Sequence, residues 1–163
     1  MRFPGPFRLI CAVSLMAACC APLSAQSLTE KTSKMERLMR ADAYSFQSTR
    51  SASVWTIHFT GKHLTDIKVI LAIAEEPDSD LMVIFVTVAE KAHLPVTADF
   101  MSKLLKENHE LDRVKVGYDA DGDLFVREDA ALRITDEAEM KAIIDQVEKS
   151  ADEIYGIVQP DLQ

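Results

Sequence analysis

The most chemically suggestive residues in this 163-residue chain are three acids, Asp119, Asp121 and Asp123, alternating around Gly122, with Glu128 and Asp129 downstream. Alternating carboxylates can coordinate calcium. An EF-hand loop, however, needs glycine at its sixth position and a bidentate glutamate at its twelfth. Counting from Asp119, Gly122 falls fourth, Leu124 sixth and Ala130 twelfth. Asp-Gly between alternating apolar runs is a hairpin signal, because glycine supplies the positive φ the turn demands. A hairpin turn is the favoured reading, and a metal or small-ligand site at Asp119, Asp121 and Asp123 is the alternative. The histidines His58, His63, His93 and His109 have no ligand spacing such as HExxH. None of the serines sits in a Gly-x-Ser-x-Gly elbow, and Gly61, Gly117, Gly122 and Gly156 stand singly, so no phosphate-cradling loop is visible. The expectation is a protein that is not an enzyme and carries no cofactor.

The three cysteines, Cys11, Cys19 and Cys20, belong to a segment that reads as an address. Arg2 and Arg8 flank a basic start, residues 9 to 21 are almost wholly apolar, and Pro22-Leu23-Ser24-Ala25 precedes Gln26. That is a secretory signal peptide over residues 1–25, cleaved between Ala25 and Gln26. Its apolar run is shorter than the roughly 20 residues of a membrane-spanning helix. In the alternative, Met16-Ala17-Ala18-Cys19 serves as a lipobox, Cys19 is acylated, and the protein is a lipoprotein tethered to a membrane face. Cleavage at Ala25 removes every thiol, which excludes disulfides, thiolate metal sites and a cysteine nucleophile together. It also removes Arg2 and Arg8 but no acid, taking the net charge from −8 to −10. So acidic a body repels phosphate backbones, and nucleic acid is not an expected partner.

No repeat or Pro/Gly/Ser-rich linker interrupts residues 26–163, so they read as one domain. Apolar residues among charges from Leu28 to Ala43 suggest a first helix, and the polar stretch Ser45 to Ser53 a loop or a poorly formed edge strand. Residues 54–60 alternate, with Trp55, Ile57 and Phe59 on one side and Thr56, His58 and Thr60 on the other, the period of a half-buried strand. Trp55 is read as core in preference to a partner anchor. Residues 67–74 and 81–88 make two more strands around a Pro- and Asp-rich turn. Thr97 caps a second helix running to Asn108–Glu110. Val114, Val116 and Tyr118 alternate in a fourth strand, and Leu124 and Val126 mark a fifth. Thr135 caps a last helix with Asp136, Glu137 and Glu139 in its first turn, and Met140, Ile143, Ile144, Val147, Ala151, Ile154 and Tyr155 at helical spacing. The expected fold class is α+β, a mainly antiparallel five-stranded sheet in the order α-β-β-β-α-β-β-α.

The second and third strands are apolar on both sides. An antiparallel sheet with one wet face should alternate apolar with polar, so a helix, a second copy or a partner has to cover the second face. Ile70, Met82, Ile84 and Val86 are the candidate partner-binding residues on it.

The helix ending near Asn108, the run from Val116-Gly117-Tyr118 through Asp119-Ala120-Asp121-Gly122-Asp123-Leu124, the acidic helix start after Thr135 and Ala151-Asp152-Glu153-Ile154-Tyr155 together resemble the YbjN-type family. The family is also described as bacterial sensory transduction regulators, with a fold like the type III secretion chaperones. The resemblance covers residues 29 to 156. It implies a non-enzymatic module acting through protein contacts, as a homodimer in one form, and carries over no catalytic residue. The export signal sets this chain apart from cytoplasmic relatives. The expected role is a periplasmic or secreted protein-binding or chaperone-like module of the bacterial envelope.

Overall fold

The computed structural model describes residues 26–95 and 97–163. Ala25 and Cys19, with the rest of the apolar leader, lie outside the described residues. Six strands form one sheet: β1 (Phe46–Ser48), β2 (Val54–Phe59), β3 (Ile67–Ile73), β4 (Leu81–Ala89), β5 (Lys115–Tyr118) and β6 (Leu124–Ala131). Their spatial order is β1-β2-β3-β4-β6-β5, and every neighbouring pair is antiparallel. The sixth strand relative to expectation is β1, an edge strand of three residues within the polar stretch, paired through Phe46, Gln47 and Ser48 to Ile57, Thr56 and Trp55.

Among the described residues three α-helices accompany the sheet: α1 (Leu28–Ala41), α2 (Ala98–Glu110) and α3 (Glu137–Val158). Ser27 opens α1 with a capping box, its hydroxyl accepting from the Glu30 N–H while the Glu30 carboxylate accepts from the Ser27 N–H. This satisfies two of the donors a helix start leaves unpaired. Thr97 caps α2 as expected, accepting from the Phe100 N–H. For α3 the cap is Asp136 and not Thr135: Asp136 accepts from the Glu139 N–H, while the buried Thr135 hydroxyl donates to the Ala131 carbonyl. Both residue types cap well. The one whose side chain has a better use inside the preceding turn loses the role.

All the helices bury their apolar stripes in one core. Met140, Ile143, Ile144, Val147, Ala151 and Ile154 of α3 lie over β3, β4 and β6. Met35, Leu38 and Met39 of α1 and Phe100 and Leu104 of α2 extend that layer to either side. Trp55 is 1% exposed in this core, its indole N–H donating to Glu36. Polar pins hold the layers in register. The buried Lys31 ammonium donates to the Ala74 and Glu76 carbonyls at 3.1 and 2.6 Å, tying α1 to the β3–β4 turn. Asp152 of α3 accepts the N–H groups of Lys62, His63 and Leu64 at 2.8–3.0 Å, tying α3 to the β2–β3 turn. Gly61 makes that approach possible, since a Cβ there would stand 2.2 Å from the Asp152 carboxylate.

Candidate functional site

Strand pairing decides which side chains share a face, because directly opposed residues of an antiparallel pair point the same way. Leu71 opposes Ile84 and Ile73 opposes Met82, and all four are buried beneath the helices. Ile70 opposes Phe85 and Ala72 opposes Val83, and these stand on the other face. Of the expected partner-binding residues, Ile70 is on that second face. Met82, Ile84 and Val86 are not: they are at most 1% exposed, in the core under α3. The correction is one of phase. Each of the two strands is apolar on both sides, so apolarity alone could not say which set of β4 matched Ile70 in β3. Thr87 carried the missing signal, since a polar residue in step with Val83 and Phe85 marks that set as the outer one.

No described helix packs on the second face. Its centre is built from Val54 and Thr56 of β2, Ile70 and Ala72 of β3, Val83 and Phe85 of β4, and Phe125 of β6, nearly all of them half-buried by their neighbours. Phe125 opposes Gly117 of β5, and a Cβ there would meet the ring at 3.0 Å. The ring therefore leans over the glycine toward the sheet edge. Between Phe85 and Phe125 lies a half-enclosed depression of about 340 Å³, walled by Tyr118, Asp119, Ala120 and Arg127.

Charges border this apolar centre on one side. Arg127 opposes both Phe85 and Lys115, and Asp129 opposes Val83. Asp129 accepts from Lys115 through one carboxylate oxygen and from Arg127 through the other, each at 2.5 Å. Burial alone would raise the Asp129 carboxyl, but the bonds from Lys115 and Arg127 outweigh it and hold the group below its ordinary range.

The outer edge of β5 is closed to strand addition at one position, because the Val116 N–H donates to Asn108 Oδ1 of α2 at 2.8 Å. Beside it, Arg113 adopts φ +67° and bridges Glu128 and Glu139. Glu128 is 4% exposed, and its Oε2 has no hydrogen-bond partner among the described residues. Its carboxyl is raised by burial, with Arg113 opposing. This cluster ties the α2–β5 loop to β6 and to the start of α3, and it opens into no cavity among those described.

The acidic turn uses its carboxylates internally. Asp119 Oδ1 accepts the N–H groups of Asp121, Gly122 and Asp123, each at 2.9 Å, and Asp123 accepts the Lys91 N–H. Gly122 takes φ +90°, the left-handed conformation a hairpin of this kind requires. Asp119 and Asp123 thus point at backbone and Asp121 at solvent. Among the described residues, no group of three or more His, Cys, Asp or Glu side chains is placed to hold a metal ion. Nor is any described helix long and apolar enough to cross a membrane. The histidines stay apart: His58 pairs with Asp66, His93 bonds the Gln163 carbonyl, and His63 packs against Gly156.

No family model matches the chain, and no curated protein matches its sequence. Solved structures do match. YbjN from E. coli superposes with a TM-score of 0.58 at 12% identity, over 85% of this chain and 96% of that one. The heterodimeric complex ExoU-SpcU from the type III secretion system of Pseudomonas aeruginosa gives 0.55 at 13% identity, over 77% and 98%. The ExsC-ExsE complex gives 0.53 at 14% identity, over 74% and 90%. At such identities the likeness concerns the backbone, and on that level the chain has the YbjN-type, type III secretion chaperone-like fold.

Proposed function

We propose that this chain is an exported, non-enzymatic polypeptide-binding module that holds segments of a protein partner on the uncovered face of its sheet. The observation that carries the reading is the run of apolar side chains, Ile70, Val83, Phe85 and Phe125, across three neighbouring strands with no helix above them among the described residues. Contiguous apolar patches on a protein surface mark interaction sites more often than idle surface. Two proteins of like fold were solved in complexes, ExoU-SpcU and ExsC-ExsE, which supports a role in holding other polypeptides. The half-enclosed depression between Phe85 and Phe125, about 340 Å³, has room for an apolar side chain of a longer ligand.

The test uses residues 26–163 and a permanently unfolded, carboxymethylated polypeptide bearing a fluorophore. Fluorescence anisotropy is expected to register saturable binding by the wild type. The Ile70→Thr, Phe85→Thr double variant should weaken it about tenfold or more, a loss of roughly 1.4 kcal/mol or greater. No binding by the wild type, or equal binding by the variant, defeats the proposal. The export half of the reading is tested by the intact mass of the protein recovered from its native cell envelope. Mature chains beginning at Gln26 support a periplasmic or secreted protein, chains beginning at acylated Cys19 support the lipoprotein form, and chains retaining Met1 overturn export.

A further inference from the structure

The start of α1 is a built feature of the fold, and it stands one residue from the expected beginning of the mature chain. Ser27 is the N-cap: its amide N–H donates to Glu30 Oε2 at 2.8 Å, and its hydroxyl accepts from the Glu30 N–H at 3.3 Å. Four residues on, the buried Lys31 ammonium fastens the helix to the Ala74 and Glu76 carbonyls. Leu28 packs against the core between them. After cleavage behind Ala25, the Ser27 nitrogen stays an amide only while the half-buried Gln26 stays attached. Loss of Gln26 would turn that nitrogen into an ammonium, a cation at the positive end of the helix dipole. The integrity of the cap therefore depends on a single exported residue, and that residue is a glutamine.

Resting on export with cleavage between Ala25 and Gln26, we infer that Gln26 is a modification site and that the mature chain begins with its cyclic lactam, pyroglutamate. An N-terminal glutamine carries its nucleophile and its electrophile on one residue, since attack of the α-amine on Cδ closes a five-membered ring. The ordinary pKa of an α-amine is about 7.7–8.0, so a neutral, nucleophilic fraction exists near neutral pH. The amine nitrogen bonds to Cδ, the Cδ–Nε2 bond breaks, and one amine proton passes to the departing nitrogen, which leaves as ammonia. No oxidant or reductant is needed. The capping box is untouched, because its bonds start at Ser27 and the ring uses only the α-amine and side chain of Gln26. The lactam is uncharged, which takes a cation away from the positive end of α1. It also offers aminopeptidases no free amine, so it preserves the residue that keeps Ser27 an amide.

The test recovers the protein from its native envelope into acid, with an isotope-labelled peptide of residues 26–31 added at lysis to record any ring closed during handling. Trypsin cuts after Lys31, and tandem mass spectrometry reads the N-terminal peptide. Most of it is expected to be lighter by one ammonia at Gln26 while the labelled peptide stays open. Chains beginning at Gln26 with amide and amine intact, or a ring no more abundant than in the labelled peptide, overturn the inference and leave export standing. Chains beginning at Met1 or at acylated Cys19 defeat the cleavage on which the inference rests, and the inference with it. The protective role is read separately on residues 26–163, with Gln26→Ser as a form that cannot close the ring. Under a broad aminopeptidase the lactam form should keep its first residue at least about tenfold longer than Gln26→Ser, and pyroglutamyl peptidase should erase the difference. Equal lifetimes would overturn protection by the ring.

Discussion

The two faces of this sheet are made of the same residue types and do opposite things. Beneath α3, Leu71, Ile84, Val86 and Val126 are sealed at 0–1% exposure. One residue along each strand, Ile70, Phe85 and Phe125 are only partly shielded. The covered face is defined by the helices packed over it, and the other by the lack of such a helix among the described residues. Apolarity on a strand thus marks burial only when a partner element can be named, and Val83 and Phe85 have none among the described helices.

The largest effect should come from breaking the covered face. Ile84→Ala is expected to cost about 2–5 kcal/mol in urea unfolding, the usual range for truncating a sealed aliphatic side chain. Phe85→Thr, its neighbour in sequence, should cost under about 1 kcal/mol, because threonine keeps strand propensity at a site that is not sealed. Equal costs would erase the distinction between the faces.

Next comes the pin at Asp152. Removing its carboxylate in Asp152→Ala strands three backbone N–H groups and should cost about 2–3 kcal/mol by chemical denaturation. The residue is 9% exposed; burial pushes its carboxyl up, but the bonds from Leu64, His63 and Lys62 hold it below its ordinary value of 3.8. A depressed carboxyl stabilises the fold above its unfolded pKa, and that contribution drains away as pH falls through the folded value. Asp152→Asn should therefore flatten the loss of stability as pH falls below about 4.

Smaller still is the effect of Gly117→Val. It should move the Phe125 ring and weaken polypeptide binding severalfold, with a stability change of no more than about 1 kcal/mol at this edge position. Polypeptide binding by anisotropy and a urea titration read the two consequences separately. The smallest effect is reserved for the acidic turn. Asp119→Ala removes an acceptor for three solvent-near N–H groups and should cost about 0.5 kcal/mol, and calcium added to the wild type should leave its melting temperature unchanged. A calcium-dependent rise would restore Asp119, Asp121 and Asp123 as a metal site.

Much of this architecture was legible in the sequence because its signals are local. Alternation fixed β2, helical spacing fixed α3, and Asp-Gly marked the β5–β6 hairpin, whose Asp119 bonds close it. The Thr97 cap was readable for the same reason. The residues of the open face were only partly legible. Which outer residues of β3 and β4 lie side by side depends on the register across a turn, and a slip of one position reverses every side chain. Ile70 was found, while Val83, Phe85, Phe125 and the Lys115–Asp129–Arg127 group were missed. That charged group is assembled from β5 and β6, whose polar outer residues resemble any solvated strand until Phe85 is seen beside them. The buried pins Lys31 and Asp152 were equally hidden, since their acceptors and donors lie 43 or more residues away.

Isoleucine methyl resonances compare the two faces in one experiment. In residues 26–163 carrying labelled Ile δ1-methyl groups, titration with the carboxymethylated polypeptide is expected to shift or broaden Ile70 while Ile84, on the neighbouring strand but under α3, holds its position. Movement of Ile84 with Ile70 unmoved, or no movement of either under saturating ligand, would contradict binding at the uncovered face.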